Sequence, residues 1–335
     1  LDPEVIEQVE AALAALEQKT GKKFGDARNP LLVSVRSGAP VSMPGMMDTV
    51  LNLGLNDETV LAMAELTGNE RFAWDSYRRF IQMFSNVVLG IELHNFEAIL
   101  EEHKKRHGFK QDIELQAEHF KAIVPEYKAV VEKHTGKPFP MDPREQLNAA
   151  ILAVFNSWDN PRAQVYRKIN KIPDTLGTAV NVQTMAFGNM GDDSATGVCF
   201  TRNPNSGAKE FYGEYLPNAQ GEDVVAGIRT PFPISHLKET MPEVYDQLYS
   251  MCELLESHYK DMQDIEFTVE RGKLYMLQCR AGKRTPIASI KIAVDLVNEG
   301  KISREQAILR VEPDKVNNIL HPAIDPKAKL DILAK

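Results

Sequence analysis

Cysteine is scarce in this sequence, and its spacing suggests neither a metal site nor a disulfide framework. The 335 residues contain three cysteines, Cys199, Cys252 and Cys279, and no CxxC pair. Neither a disulfide-stabilised secreted domain nor a cysteine-ligated zinc site is therefore indicated. The reducing cytoplasm is the compartment that this cysteine usage favours.

Long apolar runs and an excess of positive charge are also missing. No stretch approaches the ~18–20 apolar residues that a membrane-spanning helix needs, and the acidic amphipathic start does not resemble a signal peptide. The 39 Lys and Arg residues stand against 47 Asp and Glu residues, which gives a net charge of −8. We therefore expect neither a nucleic acid nor a membrane as partner, and an anionic ligand would need a local cationic pocket.

The composition is that of a globular protein with a sizeable core. Hydrophobic residues make up 43% and charged residues 26% of the sequence. A length of 335 residues suggests two or three domains. Because the chain begins with Leu1 and enters a helical pattern at once, we expect it to be a piece of a longer protein.

Hydrophobic periodicity divides the sequence into parts of different character and predicts an α+β fold. Asp2 and Pro3 start a first helix that ends at Gly21, and a short buried strand follows at 31–35. A helical period dominates 57–171, whereas strands and tight turns prevail from about 175, with one helix at 242–260. Thr285-Pro286 opens a further helix, and Ser303 with Gln306 forms a capping box. The predicted domains are 1–56, 57–171, 172–284 and 285–335.

An arginine and a flexible loop follow the first buried strand. Arg36 ends the strand pattern, and residues 37–49 are rich in Gly, Pro, Met and hydroxyl side chains. A phosphate site needs a fixed fork of N–H donors and exposed backbone amides, which this segment offers. The GxxxxGK[ST] pattern of a P-loop is absent, so an ordinary surface loop remains the alternative.

A β-hairpin is predicted over 264–280, with 271–273 as a three-residue loop. This register places two polar pairs opposite one another on the same face, namely Glu266 with Gln278 and Asp264 with Arg280. Two acids beside an amide and an arginine suit magnesium that bridges phosphate oxygens. The alternative is a half-exposed hairpin with one cross-strand ion pair.

The eight histidines indicate no catalytic or metal site. His103 and His107 have the i, i+4 spacing of a chelating pair, but they lie in a highly charged stretch that is typical of a solvated helix face. No Ser-His-Asp or Cys-His arrangement is visible.

Two of these features, in this order and about 230 residues apart, resemble the pyruvate, phosphate dikinase family. They are Arg36 with its flexible loop and the hairpin over 264–280. The resemblance covers essentially the whole chain. The segments that carry it are 34–39, 43–54, 199–204, 213–216, 220–227, 264–267 and 277–280. It implies an ATP-grasp-like nucleotide-binding region with an inserted all-helical subdomain and a helical C-terminal linker.

The resemblance also implies roles for the residues that contact phosphate and metal. Carried over residue by residue, Arg36 and Arg280 hold the phosphates of ATP and act as the catalytic residues. Asp264, Glu266 and Gln278 manage Mg²⁺ and the polyphosphate, with Gln278 contacting ATP as well.

Other ATP-binding residues are implied in the first part of the chain. Gly45, Met46 and Thr49 correspond to the family's loop over the phosphates. The strand that contains Gln183 and Met185 approaches the adenine, so that ATP lies between two lobes.

The family's enzyme reversibly converts ATP, phosphate and pyruvate into AMP, pyrophosphate and phosphoenolpyruvate. A swivelling domain carries its phosphorylated histidine, a barrel binds pyruvate, and the parent enzyme is expected to be a homodimer. The family's opening lysine segment, its Gly-Gly-Met-Thr-Ser-His segment and its barrel have no counterpart here. The resemblance therefore implies a fragment that takes ATP and Mg²⁺ but does not complete the overall reaction alone.

Two alternatives stay open. Phosphoenolpyruvate synthase is a related dikinase that uses water in place of phosphate, although the loop at 42–47 favours the phosphate-using enzyme. A non-catalytic nucleotide-binding module made mainly of the helices at 57–171 is the other. Such a scaffold has no need of the acids at 264 and 266 or the arginines at 36 and 280.

Overall fold

The computed structural model describes residues 2–226 and 229–320, and the chain divides into two compact units, Leu1–Met185 and Ala186–Lys335. Leu1, Gly227 of the 220–227 segment and the last part of the expected 285–335 linker lie outside the described residues. The four-part domain division made from the sequence stays a prediction. The mixture of helices and sheets confirms the α+β class.

The first unit contains a long block of helices flanked by short strands. Its strands, as described, are β1 Lys23–Phe24, β2 Pro30–Leu31, β3 Val33–Gly38, β4 Thr49–Leu53 and β5 Ala179–Thr184. Its helices are α1 Pro3–Thr20, α2 Thr59–Thr67, α3 Glu70–Val87, α4 His94–His107, α5 Ala117–Thr135, α6 Pro143–Asn156 and α7 Pro161–Ile169. The helical period at 57–171 is thereby confirmed, and the strand predicted at 31–35 is divided between β2 and β3.

The second unit alternates strands and helices. Its strands are β6 Ala195–Phe200, β7 Tyr212–Pro217, β8 Phe232–Pro233, β9 Gln263–Glu270 and β10 Lys273–Ala281. Its helices within the described residues are α8 Gly221–Ala226, α9 Leu237–Thr240, α10 Pro242–Tyr259, α11 Pro286–Asn298, α12 Arg304–Arg310 and α13 Pro313–Leu320.

Side-chain caps fix the helix starts that the sequence predicts. The Asp2 carboxylate accepts from the backbone N–H of Glu4 before Pro3 enters α1, and Gly21 ends that helix with φ +67°. Thr285 caps α11 through the N–H of Ala288, and Ser303 and Gln306 bond reciprocally at α12. Each cap satisfies N–H groups that the first helical turn leaves without intrahelical acceptors.

Each unit has its own sheet. In the first unit, β3 lies between β4 and β5, with both neighbours antiparallel, and α3 and α6 contact this sheet. In the second unit the order is β10-β9-β6-β7-β8, again with antiparallel neighbours. Helix α10 packs on β9 and β10, and its Val244, Leu248 and Cys252 join the apolar core formed with the sheet.

An ionic network in the second unit joins helix α10 to the residues that follow β6 and to those that follow α11. Arg202 is 0% and Glu256 1% exposed; Arg202 donates to Glu256 from Nε (3.0 Å) and from a terminal nitrogen (2.7 Å). That terminal nitrogen also lies 2.9 Å from both Glu299 oxygens, and Lys301 donates to Glu256 at 2.8 Å. Thr201 donates a further hydrogen bond to Glu256 at 2.7 Å. The buried pair of Arg202 and Glu256 is thereby extended toward the surface by Lys301 and Glu299, and the two cations balance the two carboxylates.

Among the described residues, no helix has both the length and the apolar character required to cross a membrane.

Candidate nucleotide site

The hairpin of β9 and β10 brings four predicted site residues together. Asp264 pairs with Arg280 and Glu266 with Gln278, which confirms the predicted register. Arg280 donates from Nε to Asp264 Oδ2 at 2.7 Å, and its terminal nitrogen lies 3.9 Å from Glu266 Oε1. The guanidinium thus faces both carboxylates while Gln278 is exposed beside them.

The predicted three-residue loop is wrong, although the register is right. The turn contains only Arg271 and Gly272, with φ of +48° and +75°, so Lys273 pairs with Glu270. Two positive φ values are what the tightest hairpin turn requires. The register then shifts by one residue between Met276 and Gln278, which leaves Leu277 as an unpaired bulge residue. The shorter turn and the bulge compensate one another.

The hairpin has one apolar face and one polar face. The bulge at Leu277 explains which residues of β10 lie on each face. Ile265, Phe267 and Val269 are fully buried in the core that α10 covers. On β10, Leu274, Met276 and Cys279 pack against the same core. The inward positions therefore change from even to odd numbers across Leu277, which turns Gln278 and Arg280 toward the acids.

The two carboxylates and the amide are suitable ligands for magnesium. Mg²⁺ prefers oxygen ligands and is usually held by one or two carboxylates together with water and substrate phosphates. Asp264, Glu266 and Gln278 supply two carboxylates and one amide oxygen on the same face. The described residues contain no cluster of three or more His, Cys, Asp or Glu side chains that could hold a metal. Because the hairpin supplies two carboxylates and one amide oxygen, its donors suit a cation that also takes oxygens from phosphate.

A second set of predicted residues lies in the first unit. Arg36 on β3 pairs with Thr49 on β4, and the adjacent strand β5 pairs Gln183 with Ser34. Because directly opposed residues and alternate residues share a face, Arg36, Thr49 and Gln183 lie on one face of the sheet. Met185 continues the ladder, since its N–H donates to the Leu32 carbonyl at 2.9 Å.

The loop between β3 and β4 contains the remaining predicted residues. Gly45 is exposed with φ +71°, a left-handed conformation that favours glycine, and the Met46 N–H donates to the Met43 carbonyl at 3.1 Å. The chain therefore makes a tight turn at this point. Backbone N–H groups at such a turn are suited to approach an anion.

No sequence pattern identifies the residues that anchor this loop. Asp48 accepts hydrogen bonds from Asn160 at 2.8 Å and from Arg162, whose Nε also donates to the Met46 carbonyl at 3.0 Å. The Asp48 N–H donates to Ser157 Oγ at 3.2 Å. These partners are more than 100 residues from the loop and have no motif of their own.

We expect the substitution Asp48→Ala to loosen this loop. The substitution removes the hydrogen bonds that Asp48 accepts from Asn160 and Arg162. Amide exchange at 43–48 should therefore accelerate by about tenfold, which corresponds to a loss of ~1.4 kcal/mol of local stability. Hydrogen–deuterium exchange followed by mass spectrometry measures this directly. Asp192→Ala, at an exposed position in the second unit, is the control. Equal exchange at 43–48 in both variants would mean that Asp48 does not hold the loop.

The three cysteines are free thiols with no feature of a nucleophile. Burial, the hydrogen bond to Cys252 and the nearby Asp264 charge raise the pKa of Cys199 well above its ordinary value. Burial likewise raises the pKa of Cys279. The reactive form of cysteine is the thiolate, which both shifts disfavour.

Comparison with known proteins identifies the family. A family model described as "Pyruvate phosphate dikinase, AMP/ATP-binding domain" matches residues 1–245 and 238–301. The chain belongs to this family. It is 55% identical to the pyruvate, phosphate dikinase of Rhizobium meliloti (strain 1021), with 98% of this chain covered. The proteins of the same name from Clostridium symbiosum and Giardia intestinalis are each 56% identical, over 97% and 98% of this chain.

The pyruvate, phosphate dikinase relatives are much longer than this chain. It spans 38%, 37% and 38% of the Rhizobium, Clostridium and Giardia proteins. Family membership confirms the resemblance drawn from the sequence. The roles of the individual residues in the two sets stay predictions.

Proposed function

We propose that the chain is the ATP-binding part of a pyruvate, phosphate dikinase and has the ATP-grasp architecture that the resemblance implies. The observation that carries the proposal is the cluster of Asp264, Glu266, Gln278 and Arg280 on one hairpin face, in a chain of this family. In the first unit, Arg36, Gly45, Met46, Thr49, Gln183 and Met185 are the proposed nucleotide-binding residues.

Phosphoryl transfer depends mainly on positioning and on the neutralisation of charge. Arg280 presents a rigid fork of N–H donors, which its hydrogen bond to Asp264 orients. This fork binds phosphate oxygens and stabilises charge that develops on them. Arg36 is held in the middle strand of its sheet and binds phosphate in the same way. When bound by Asp264, Glu266 and Gln278, Mg²⁺ supplies further neutralisation of the phosphate charge.

The phosphoryl acceptor is proposed to be a histidine on a swivelling domain elsewhere in the longer protein. Phosphate and pyruvate are proposed as the other substrates of that protein. The relatives' shared name supports the phosphate-using dikinase over the water-using phosphoenolpyruvate synthase. A homodimeric parent and the reducing cytoplasm belong to the same proposal, the latter because the three cysteines are free thiols.

Calorimetric titration of Mg·ATP into the chain tests the nucleotide-binding part of this proposal. We expect saturable heat in the wild type and at least a tenfold weaker affinity, about 1.4 kcal/mol, in Glu266→Gln, which loses a carboxylate from the hairpin face. Arg106→Ala, in an exposed ion pair with Glu102, is the matched control and should bind like the wild type. Unchanged affinity in Glu266→Gln would contradict the assigned metal role.

A further inference from the structure

The side-chain amide of Gln220 is buried without a partner. Gln220 lies between β7 and α8 and is 5% exposed, and within the part of the chain that the structure describes neither Nε2 nor Oε1 has a hydrogen-bond partner. An unsatisfied buried polar group costs the folded protein about 1–3 kcal/mol. A group retained at that cost points to a function that completes its hydrogen bonds.

The backbone around this amide is firmly held. The Ala219 N–H donates to the Gly188 carbonyl at 2.9 Å, and the Gln220 N–H donates to Asp223 Oδ2 at 2.9 Å. Arg229 binds the two carbonyl oxygens that precede Ala219, at 2.7 and 3.0 Å. The two segments also approach closely, because a Cβ on Gly188 would lie 2.4 Å from the Ala219 oxygen. The backbone that carries the amide is therefore held in place before any ligand arrives.

A second unsatisfied group lies on the facing segment. Asn189 directly follows Gly188, and its Oδ1 is buried without a hydrogen-bond partner among the described residues. Gln220 and Asn189 flank the backbone hydrogen bond between Ala219 and Gly188. The two segments thus present one unsatisfied donor and two unsatisfied acceptors.

The strand register locates this group relative to the proposed phosphate residues. Pro217 pairs with Ala195 and Ala195 with Val269, so the chain that leads to Gln220 leaves the sheet at the end where β9 finishes. Glu266 lies four residues before the end of β9 at Glu270, about 13 Å at the rise of a strand. A nucleotide that runs along β9 from phosphates at Glu266 toward the end of that strand brings its base to the edge of the sheet where the chain reaches Gln220. The unsatisfied amide is at the Gln220 end.

We propose that Gln220 binds the base of the nucleotide and selects adenine. The inference rests on the proposed ATP-binding function. Nε2 donates to a ring nitrogen and Oε1 accepts from the 6-amino group, the paired donor and acceptor that a glutamine amide matches on adenine. The amide is assigned to the base and not to the ribose, because a ribose diol is commonly bound by a carboxylate.

The test compares ATP, GTP and inorganic tripolyphosphate, each with Mg²⁺, in the wild type and in Gln220→Leu. We expect the variant to bind ATP roughly 10–100-fold more weakly, to lose the preference for ATP over GTP, and to bind tripolyphosphate like the wild type. Gln247→Leu, at an exposed position on α10, controls for the substitution itself and should behave like the wild type. The ligand-free variant should melt at or above the wild-type temperature, because it loses an unsatisfied buried amide.

The outcomes separate this inference from the proposed function. Wild-type affinity for ATP in Gln220→Leu overturns the inference, and so does a parallel loss of ATP and tripolyphosphate binding, which would indicate a structural role. A lower melting temperature of the ligand-free variant would show that the amide already has partners and would also overturn it. Failure of the wild type to bind any of the three ligands would overturn the proposed function and the inference with it.

Discussion

Under the proposed function, replacing Arg280 by alanine is expected to slow transfer of the β,γ-diphosphoryl group of ATP to the acceptor histidine, the step that releases AMP, by about 10²–10³-fold in a longer dikinase that contains this chain. This factor corresponds to roughly 2.7–4 kcal/mol, the typical loss when one charge-stabilising donor is removed from a transition state. The structural reason is that the Arg280 guanidinium is hydrogen-bonded to Asp264 at 2.7 Å and lies 3.9 Å from the Glu266 carboxylate, so it faces both acids of the hairpin. Single-turnover formation of AMP, followed by rapid quench, measures the effect.

Two further variants make this experiment specific. Arg280→Lys keeps the charge but loses the planar fork, so its rate should lie between those of the wild type and the alanine variant. Arg284→Ala breaks a nearby pair, in which two guanidinium nitrogens bind Asp261 at 2.7 Å each, and should retain the wild-type rate. A similar loss in Arg284→Ala and Arg280→Ala would mean that the effect comes from distortion of the strand end.

The second large effect is expected for stability. Arg202→Met leaves Glu256 buried without its main counter-charge, and breaking a buried pair in this way costs about 3–5 kcal/mol. For a unit of this size we expect the melting temperature to fall by roughly 6–20 °C. Arg106→Met, which removes an exposed ion pair, should change stability by less than about 1 kcal/mol. Equal shifts in the two variants would contradict the importance of the buried network.

The same network gives the unfolding free energy a pH dependence of known sign. Burial alone would raise the pKa of Glu256, but hydrogen bonds from Arg202, Lys301 and Thr201 outweigh it and lower the pKa below the ordinary 4.5. The stability gained from a depressed carboxyl pKa is present above the unfolded pKa and is lost as the pH falls through the folded pKa. Urea midpoints should therefore decline below about pH 4.5 more steeply in the wild type than in Glu256→Gln.

Local patterns in the sequence predicted most of the secondary structure because helix caps and strand alternation are encoded by neighbouring residues. Asp2, Thr285 and Ser303 all cap the helices expected of them. The hairpin register followed from alternation on β9, but the turn length did not. A two-residue turn with a bulge and a three-residue loop place Glu266 and Asp264 opposite the same partners.

Contacts between distant segments could not be predicted in this way. Arg202 and Glu256 are 54 residues apart, and neither belongs to a pattern that identifies the other. Asp48 and Arg162 are separated by 114 residues. In both cases the pairing depends on how helices pack against strands, which periodicity within one element does not determine. The unsatisfied amide of Gln220 is likewise visible only once burial and partners are known.

The bulge at Leu277 has a consequence for sequence variation in this hairpin. The pairing of Glu266 with Gln278 depends on the sum of the residues in the turn and in the bulge. A chain that gains one residue between Arg271 and Lys273 keeps its acids opposite the amide and the arginine if it loses Leu277 at the same time. Either change alone slips Gln278 and Arg280 by one position and exchanges their faces. Insertions and deletions at these two places should therefore occur together during evolution.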